Sequence, residues 1–356
     1  MNSNGRLRVI VCGTTFGRVY LQGIRRLSQR FELAGIVARG SEHSRACAQT
    51  YGVPLYTSVG DLPDDIDMAC VVVRSSVVGG VGTDLAVELL ERGIHVLQEH
   101  PVHQTDLVNS MKTARKSGTR YVLNSFYPDL YFMRRFIQAA RRALENSKAI
   151  YVDAVCGINV LYPLIDILGR IFQGFRPWSF SDPLEASLKD PLTSLSGNVA
   201  GVPLRLGIQN SMSPDDPDNS GLLLHRISLC TENGTLMLPD THSSVFWVPR
   251  MYVERREDGV LDMFGDSPFL AMPAMQMHED FQEWTYGDIF RDIWTESVLR
   301  SLLRFEKNIR EGVDDIQLGQ HTLTACRVWQ ELGQRIGVTK TVELRAPRPE
   351  KLEKRA

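Results

Sequence analysis

The sequence predicts an α/β protein in two parts: a doubly wound parallel sheet, then an α+β domain on a mainly antiparallel sheet. Three observations predict it. From residue 7 to residue 124, short apolar runs alternate with amphipathic helical segments, the pattern of repeated β-α-β units. Beyond Asn124, alternating runs are separated by Gly, Pro, Asp and Asn clusters, as in antiparallel sheets. The length of 356 residues suits about two domains, divided as 1–124 and 125–356.

The elements follow in order. Leu7–Cys12 is an apolar run closed by Gly13, as in a buried parallel strand. A helix runs from Arg18 to about Gln29, and Phe31–Val37 is the second strand. Ser44–Tyr51 is a short helix ended by Gly52, and Met68–Val73 is the third clear strand. Thr83–Arg92 is a helix with Thr83 as N-cap and Gly93 past its end. Ile94–Leu97 is a strand stopped by Glu99-His100-Pro101. Thr105–Lys116 is a helix closed by Gly118, and Tyr121–Leu123 completes the series. The second domain opens with a helix over Leu130–Leu144, a strand over Ala149–Cys156 and a helical stretch at Pro163–Phe172. Strand-like runs recur at Leu204–Asn210, Leu222–Thr231, Gly234–Pro239 and Ser244–Val248. Two amphipathic helices, Ile293–Glu311 and Gly319–Ile336, precede a charged tail from Arg345 to Ala356.

Composition removes several function classes. Hydrophobic residues make up 43% and charged ones 23%, ordinary values for a soluble globular chain. Forty basic against 42 acidic residues give a net charge of −2, so no basic field recruits nucleic acid. No apolar run approaches the roughly 18 residues of a membrane span, and the N-terminus has no signal-peptide layout. The expected compartment is the cytoplasm. Cysteines 12, 47, 70, 156, 230 and 326 form no C-x-x-C and no Cys/His cluster. They read as small buried thiols in a reducing compartment, with no metal site.

The first strand leads into a modified phosphate loop, Gly13-Thr14-Thr15-Phe16-Gly17-Arg18. Against G-x-G-x-x-G, Gly13 fills the first position, Thr15 the second and Arg18 the third, with Gly17 one place early. The copy is degenerate, but it follows the first strand of a β-α-β unit and opens a helix. Backbone N–H groups and the helix dipole favour a pyrophosphate there, as in a Rossmann dinucleotide-binding domain. The second strand ends in Val37-Ala38-Arg39-Gly40-Ser41, with Ser44-Arg45 just beyond. An NAD site usually carries an acid at that strand end. Here Arg39 and Arg45 can pair with a 2′-phosphate while Ser41 and Ser44 donate hydrogen bonds, so the expected cofactor is NADPH. Past the fourth strand, Glu99-His100-Pro101 lies on the carboxyl edge where ligands of open α/β sheets bind. His100 can exchange a proton near neutral pH.

Strand, Gly loop, helix and Gly93-Ile94-His95-Val96-Leu97-Gln98-Glu99-His100-Pro101 together resemble the glucose-fructose oxidoreductase (Gfo–Idh–MocA) family. That family typically has Glu-Lys-Pro at the last three positions, with Lys as acid/base; here His100 replaces the Lys. Its second signature, D-x-G-x-H-x-x-D, falls near Asn159–Asp166, where only Asp166 matches and Pro163 stands in the place of the His. A narrower resemblance accounts for the departure. The segments Ala69–Thr83, Gln98–Pro101 and Asn124-Ser125-Phe126-Tyr127-Pro128, with the Ser213–Asp218 turn and Leu224-His225-Arg226, are similar to thiazolinyl imine reductases of siderophore assembly.

That resemblance implies reduction of a thiazoline C=N to a thiazolidine, on a nonribosomal intermediate tethered to a carrier protein. His100 and Tyr127 are then the candidate proton donors. Gly13, Thr14, Thr15, Phe16 and Gly17 with Arg74, Ser75, Ser76 and Glu99 are candidate cofactor contacts. The wider family also implies a homodimer. Two other readings compete: a reductase of the same fold acting on a free small molecule, and a non-catalytic NADP-sensing module. Three further features read as structural or undecided. His225 suits a packed sheet residue. The Asp215-Asp216-Pro217-Asp218 cluster suits a solvated turn. Met272–His278 fits a substrate flap or a passive loop.

Overall fold

The computed structural model describes residues 5–73, 80–185, 190–277, 283–312, 316–343 and 345–350. Six strands form the first sheet: β1 (Leu7–Cys12), β2 (Phe31–Val37), β3 (Leu55–Tyr56), β4 (Met68–Val71), β5 (His95–Glu99) and β6 (Tyr121–Asn124). Their order is β3-β2-β1-β4-β5-β6, all parallel. The connecting helices include α1 (Gly17–Arg26), α2 (Glu42–Tyr51), α3 (Val81–Glu91) and α4 (Gln104–Lys116). The order reverses between β1 and β4, so their carboxyl ends open a crevice for a ligand.

Alternation along each strand builds a core on each face. Val9, Val11, Cys70 and Leu97 pack with Tyr20, Leu21 and Ile24 of α1. Ile10, Cys12, Ala69, Val71 and Val96 pack with Ala86, Leu89 and Leu90 of α3. Burial on both faces is why these strands read as continuous apolar runs. Helix α3 begins at Val81 with Gly80 at the N-cap position. Thr83 is therefore buried in its first turn and is not its cap.

After β6 come α5 (Tyr131–Glu145), β7 (Ala149–Gly157) and α6 (Leu161–Phe172). The chain then forms β8 (Trp178–Phe180), β9 (Thr193–Val199), β10 (Val202–Gln209), β11 (Ser211–Met212), β12 (His225–Thr231), β13 (Gly234–Leu238), β14 (Phe246–Pro249) and β15 (Gln276–Met277). The second sheet has the order β15-β14-β13-β12-β7-β10-β9-β8. Its pairs are antiparallel except β7 with β10. One face is apolar, with Val152, Ala154, Leu206, Ile227 and Leu229 buried. The other exposes Asp153, Arg205, Arg226 and Met237.

Three helices close the chain: α7 (Tyr286–Asp288), α8 (Trp294–Glu311) and α9 (Ile316–Ile336). Helix α8 crosses α1 at Gly23, where a Cβ would lie 2.9 Å from Val298 Cγ1. Helix α9 packs against α4 and α6. The pair β11 with β16 (Lys340–Thr341) ties the C-terminal segment to the strand after β10. Among the described residues, no helix is long and apolar enough to cross a membrane.

Candidate active site and dinucleotide cradle

The turn after β1 is built for close approach. Gly13 has φ +97°, and a Cβ there would lie 2.5 Å from the Val72 carbonyl oxygen. Any side chain would meet both steric conflicts. Gly17 opens α1 and lies over the strand: a Cβ would come to 3.2 Å from Val11 Cγ1. It therefore takes the close-packing role of the third glycine, one place earlier than the sequence pattern puts it. Phe16 is the N-cap residue of α1, and no side chain caps that helix. An uncapped helix N-terminus just past the end of β1 suits an anion. Thr14 is buried, and its carbonyl receives His43 Nε2 at 3.2 Å; Thr15 is exposed.

The loop after β2 stands beside this cradle. Arg39 and Arg45 are exposed, and neither guanidinium pairs with a carboxylate among the described residues. Ser41 caps α2, accepting from the Ser44 N–H at 3.2 Å. Ser44 is buried and its hydroxyl donates back to the Ser41 carbonyl at 2.8 Å. The loop thus presents two arginines and Ser41 outward, while Ser44 shapes the turn from inside. His43, which no sequence pattern marked, bridges the two loops. Arg74, Ser75 and Ser76 lie outside the described residues.

The carboxyl ends of β5 and β6 carry the polar centre. Glu99 is buried, and its Oε2 accepts from the Tyr20 hydroxyl and from Asn124 Nδ2 at 3.1 Å. Asn124 Nδ2 also reaches Tyr20 Oη at 2.6 Å, and Ser301 Oγ on α8 donates to Asn124 Oδ1 at 2.9 Å. Glu99 Oε1 lies 2.7 Å from His100 Nδ1, off the ring's N–H direction, which serves the Asn124 carbonyl at 3.3 Å. A carbonyl only accepts, so Nδ1 carries the hydrogen. Nε2 is then a donor only in the imidazolium. Two buried oxygens at this edge, Glu99 Oε1 and Ser125 Oγ, have no hydrogen-bond partner among the described residues. They suit a polar ligand entering the cleft.

His100 sits between two tyrosines. The Tyr162 ring of α6 stacks on it at 5.7 Å, and Tyr127 meets it edge-on at 5.9 Å. Tyr127 also touches the His225 ring at 5.1 Å. Burial, then the nearby Glu99 charge, pushes the Tyr127 hydroxyl well above the usual phenol range. It stays protonated at working pH. His225 is fully buried, with Nε2 on the Val160 carbonyl at 3.0 Å and Nδ1 on Thr241 Oγ1 at 2.9 Å. Burial pulls its pKa down to about 3, so it is a neutral packing residue. The sequence thus assigned roles to His100, Tyr127 and Glu99 but none to Tyr20, Asn124, Tyr162 or Ser301; Asn124 lies in the Asn124–Pro128 segment and Tyr162 in the Asn159–Asp166 segment, while Tyr20 and Ser301 stand in no local motif.

Asp166, the one match to the second family signature, is turned to structure. Burial alone would raise its pKa, but Arg170 (2.9 and 3.0 Å) and His321 (2.6 Å) hold it well below the carboxylate range. Tyr162, one turn earlier, faces His100 instead. In the 272–278 segment, Gln276–Met277 pairs with β14 as an edge strand; His278 lies outside the described residues.

Comparison with known proteins supports an NAD(P)-dependent oxidoreductase. Residues 7–125 match the oxidoreductase family with an NAD-binding Rossmann fold (Gfo–Idh–MocA). Residues 147–248 match the C-terminal region of Irp3-like thiazolinyl imine reductases. The N-terminal part is therefore a Gfo–Idh–MocA-type oxidoreductase domain, followed by an Irp3-like reductase region. No curated protein gives a significant match. A 3-ketoreductase from Actinomadura kijaniata, solved with NADP and TDP-benzene, is similar over 95% of this chain and 100% of its own, with 13% identity and TM-score 0.67. A protein of gentamicin A biosynthesis, solved with NAD, is similar over 93% and 94%, with 12% identity and TM-score 0.64. An oxidoreductase from Agrobacterium radiobacter, solved with NAD+, L-tartaric acid and magnesium, covers 91% and 94%, with 11% identity and TM-score 0.63. At these identities the likeness is one of fold.

Proposed function

We propose that the chain reduces a thiazoline C=N to a thiazolidine with NADPH, on a siderophore intermediate tethered to a carrier protein. The observation that carries this reading is His100: a histidine held between Tyr127 and Tyr162 beside the buried Glu99, in the place of the family's lysine. The Irp3-like match over residues 147–248 supports the substrate class.

NADPH, when bound, supplies the hydride that reaches the ring carbon. The residues fit it: the tight Gly13 turn and the uncapped α1 N-terminus suit the pyrophosphate, and Arg39, Ser41 and Arg45 suit the 2′-phosphate. The ring nitrogen then needs a proton. The His100 imidazolium donates it from Nε2, while its Nδ1–H serves the Asn124 carbonyl. Tyr127, protonated throughout, offers its hydroxyl to the same nitrogen as a second donor. Two donors at one site imply shared delivery. The reading includes a cytoplasmic homodimer joined through the exposed face of the second sheet.

NADPH oxidation measured with a carrier-bound thiazoline, beside a panel of free sugars, aldehydes and imines, tests it. Turnover is expected with the thiazoline. His100→Ala and Tyr127→Phe should each lower turnover mildly, and the double variant by about 10²–10⁴-fold, with NADPH affinity held. Turnover of the free compounds alone would make the chain another reductase of this fold. Cofactor binding with no turnover of any compound would favour a sensing module.

A further inference from the structure

Residue 126 has an unusual backbone. Phe126 sits at φ 58°, ψ −63°, a region that residues with a Cβ rarely adopt. The Tyr127 N–H donates to the Ser125 carbonyl at 2.6 Å, which closes a three-residue γ-turn of the strained, positive-φ hand. Such a conformation persists only where the surroundings over-determine it, and such sites cluster at functional centres. Here the surroundings are explicit. The Phe126 ring is fully buried and meets Phe16 at 5.1 Å, Tyr127 at 5.2 Å and Trp294 at 5.2 Å, each edge-on. The Phe126 carbonyl accepts from Ser297 Oγ at 2.8 Å and from the Asp129 N–H at 3.1 Å. Ser297 is fully buried on α8 and makes this bond across 171 residues of sequence.

The turn decides where the next ring points. Tyr127 follows the turn directly, and its ring lies against His100 on one side and His225 on the other. A relaxed residue 126 would rotate the following peptide and swing that ring out of contact. We propose that Ser297 is a positioning residue: its hydroxyl, bonded to the Phe126 carbonyl, holds the γ-turn that sets Tyr127 against His100. The catalytic side of this inference rests on the proposed role of Tyr127.

Two readouts separate the clamp from the chemistry. In the first, amide hydrogen exchange across residues 124–130 is followed in the full chain. Ser297→Ala should speed exchange at the Tyr127 amide by about tenfold or more, with no matching change in strands β1 and β4. Ser297→Cys, nearly isosteric and a weaker donor, should give a smaller increase and serves if the alanine variant fails to fold. Unchanged exchange in the folded variants would overturn the proposal. The second readout is a double-mutant cycle on NADPH-dependent thiazoline reduction. Ser297→Ala should lower kcat several-fold in the wild-type background and leave KM for NADPH unchanged. In the Tyr127→Phe background, the same substitution should have almost no effect on kcat. An equal loss in both backgrounds would mean that Ser297 acts on general packing, which also overturns the proposal. Absence of thiazoline turnover in the wild type would refute the proposed function alone, and the exchange measurement would still judge the clamp.

Discussion

Arg39 stands where an NAD site would carry an acid, and its exposed guanidinium, without an ion pair among the described residues, makes the cofactor choice testable at one residue. Losing one charge-assisted phosphate contact costs about 1.5 kcal/mol at a solvent-facing position, roughly tenfold in Kd. Arg39→Ala should weaken NADPH binding by that factor and leave NADH binding nearly unchanged. Equal weakening of both, measured by fluorescence titration, would end the NADPH assignment. His225 carries a second residue-level expectation. Its pKa falls from about 6.5 when unfolded to about 3 when folded, so the folded state refuses a proton that the unfolded chain accepts. Its contribution is complete above pH 6.5 and is lost as pH falls towards 3. By pH 5 this should cost about 2 kcal/mol of stability. His225→Gln keeps a donor for the Val160 carbonyl but cannot titrate. Urea unfolding should show the variant losing about 2 kcal/mol less than the wild type between pH 7 and pH 5. At this scale the sequence revealed the groups that sit in motifs: Gly13, Glu99, His100 and Tyr127. It hid Tyr20, Ser297 and the roles of Asn124 and Tyr162, because residues far apart in sequence meet only through the fold.

The same contrast holds for the elements. The parallel strands were legible because they are buried on both faces, so Met68–Val71 is an unbroken apolar run and Leu7–Cys12 is interrupted only by Arg8. Thr193–Val199 was not, since only Leu195 and Val199 are buried in a strand otherwise of Thr, Ser, Gly and Asn. Its place in the sheet comes from its partners, β8 and β10, rather than from its own pattern. The start of α3 was misplaced because Thr83 is a good capping residue, whereas Gly80 occupies the cap with no side chain to mark it. Helix α1 hides a different constraint. Gly23 reads as a weak helix residue, yet α8 packs directly over it. Alanine there gains about 1 kcal/mol of helix propensity. Its Cβ would sit 2.9 Å from Val298 Cγ1, and overpacking at a β-branched neighbour costs about 1–3 kcal/mol. Gly23→Ala should therefore destabilise by about 1 kcal/mol. Val298→Ala should cost less in that background than in the wild type. A stabilised single variant in thermal melts would contradict the close crossing.

For the whole molecule, α8 joins α9 in binding the C-terminal part to the Rossmann layers. It meets the site through Ser297 and Ser301, α1 through Val298, and the start of β2 through Glu306. Glu306 is 1% exposed, with Arg30 Nε at 2.6 Å and Arg310 Nε at 2.7 Å; the two arginines are 51% and 32% exposed. The asymmetry of burial sets the energetics. Each arginine can return to water if the pair breaks, but the carboxylate cannot. Removing Arg30 alone leaves Glu306 with Arg310 and should cost about 1 kcal/mol, the scale of a half-exposed pair. Removing both arginines strands a buried charge, which costs about 3–5 kcal/mol. The two losses should therefore be strongly non-additive in urea unfolding, with the double variant far worse than the sum of Arg30→Ala and Arg310→Ala. A triple variant that adds Glu306→Gln removes the stranded charge and should recover most of the loss, although it restores no ion pair. Additive single effects, or a triple variant as unstable as the double, would show that Glu306 is solvated in the folded protein and that apolar packing alone holds α8 in place.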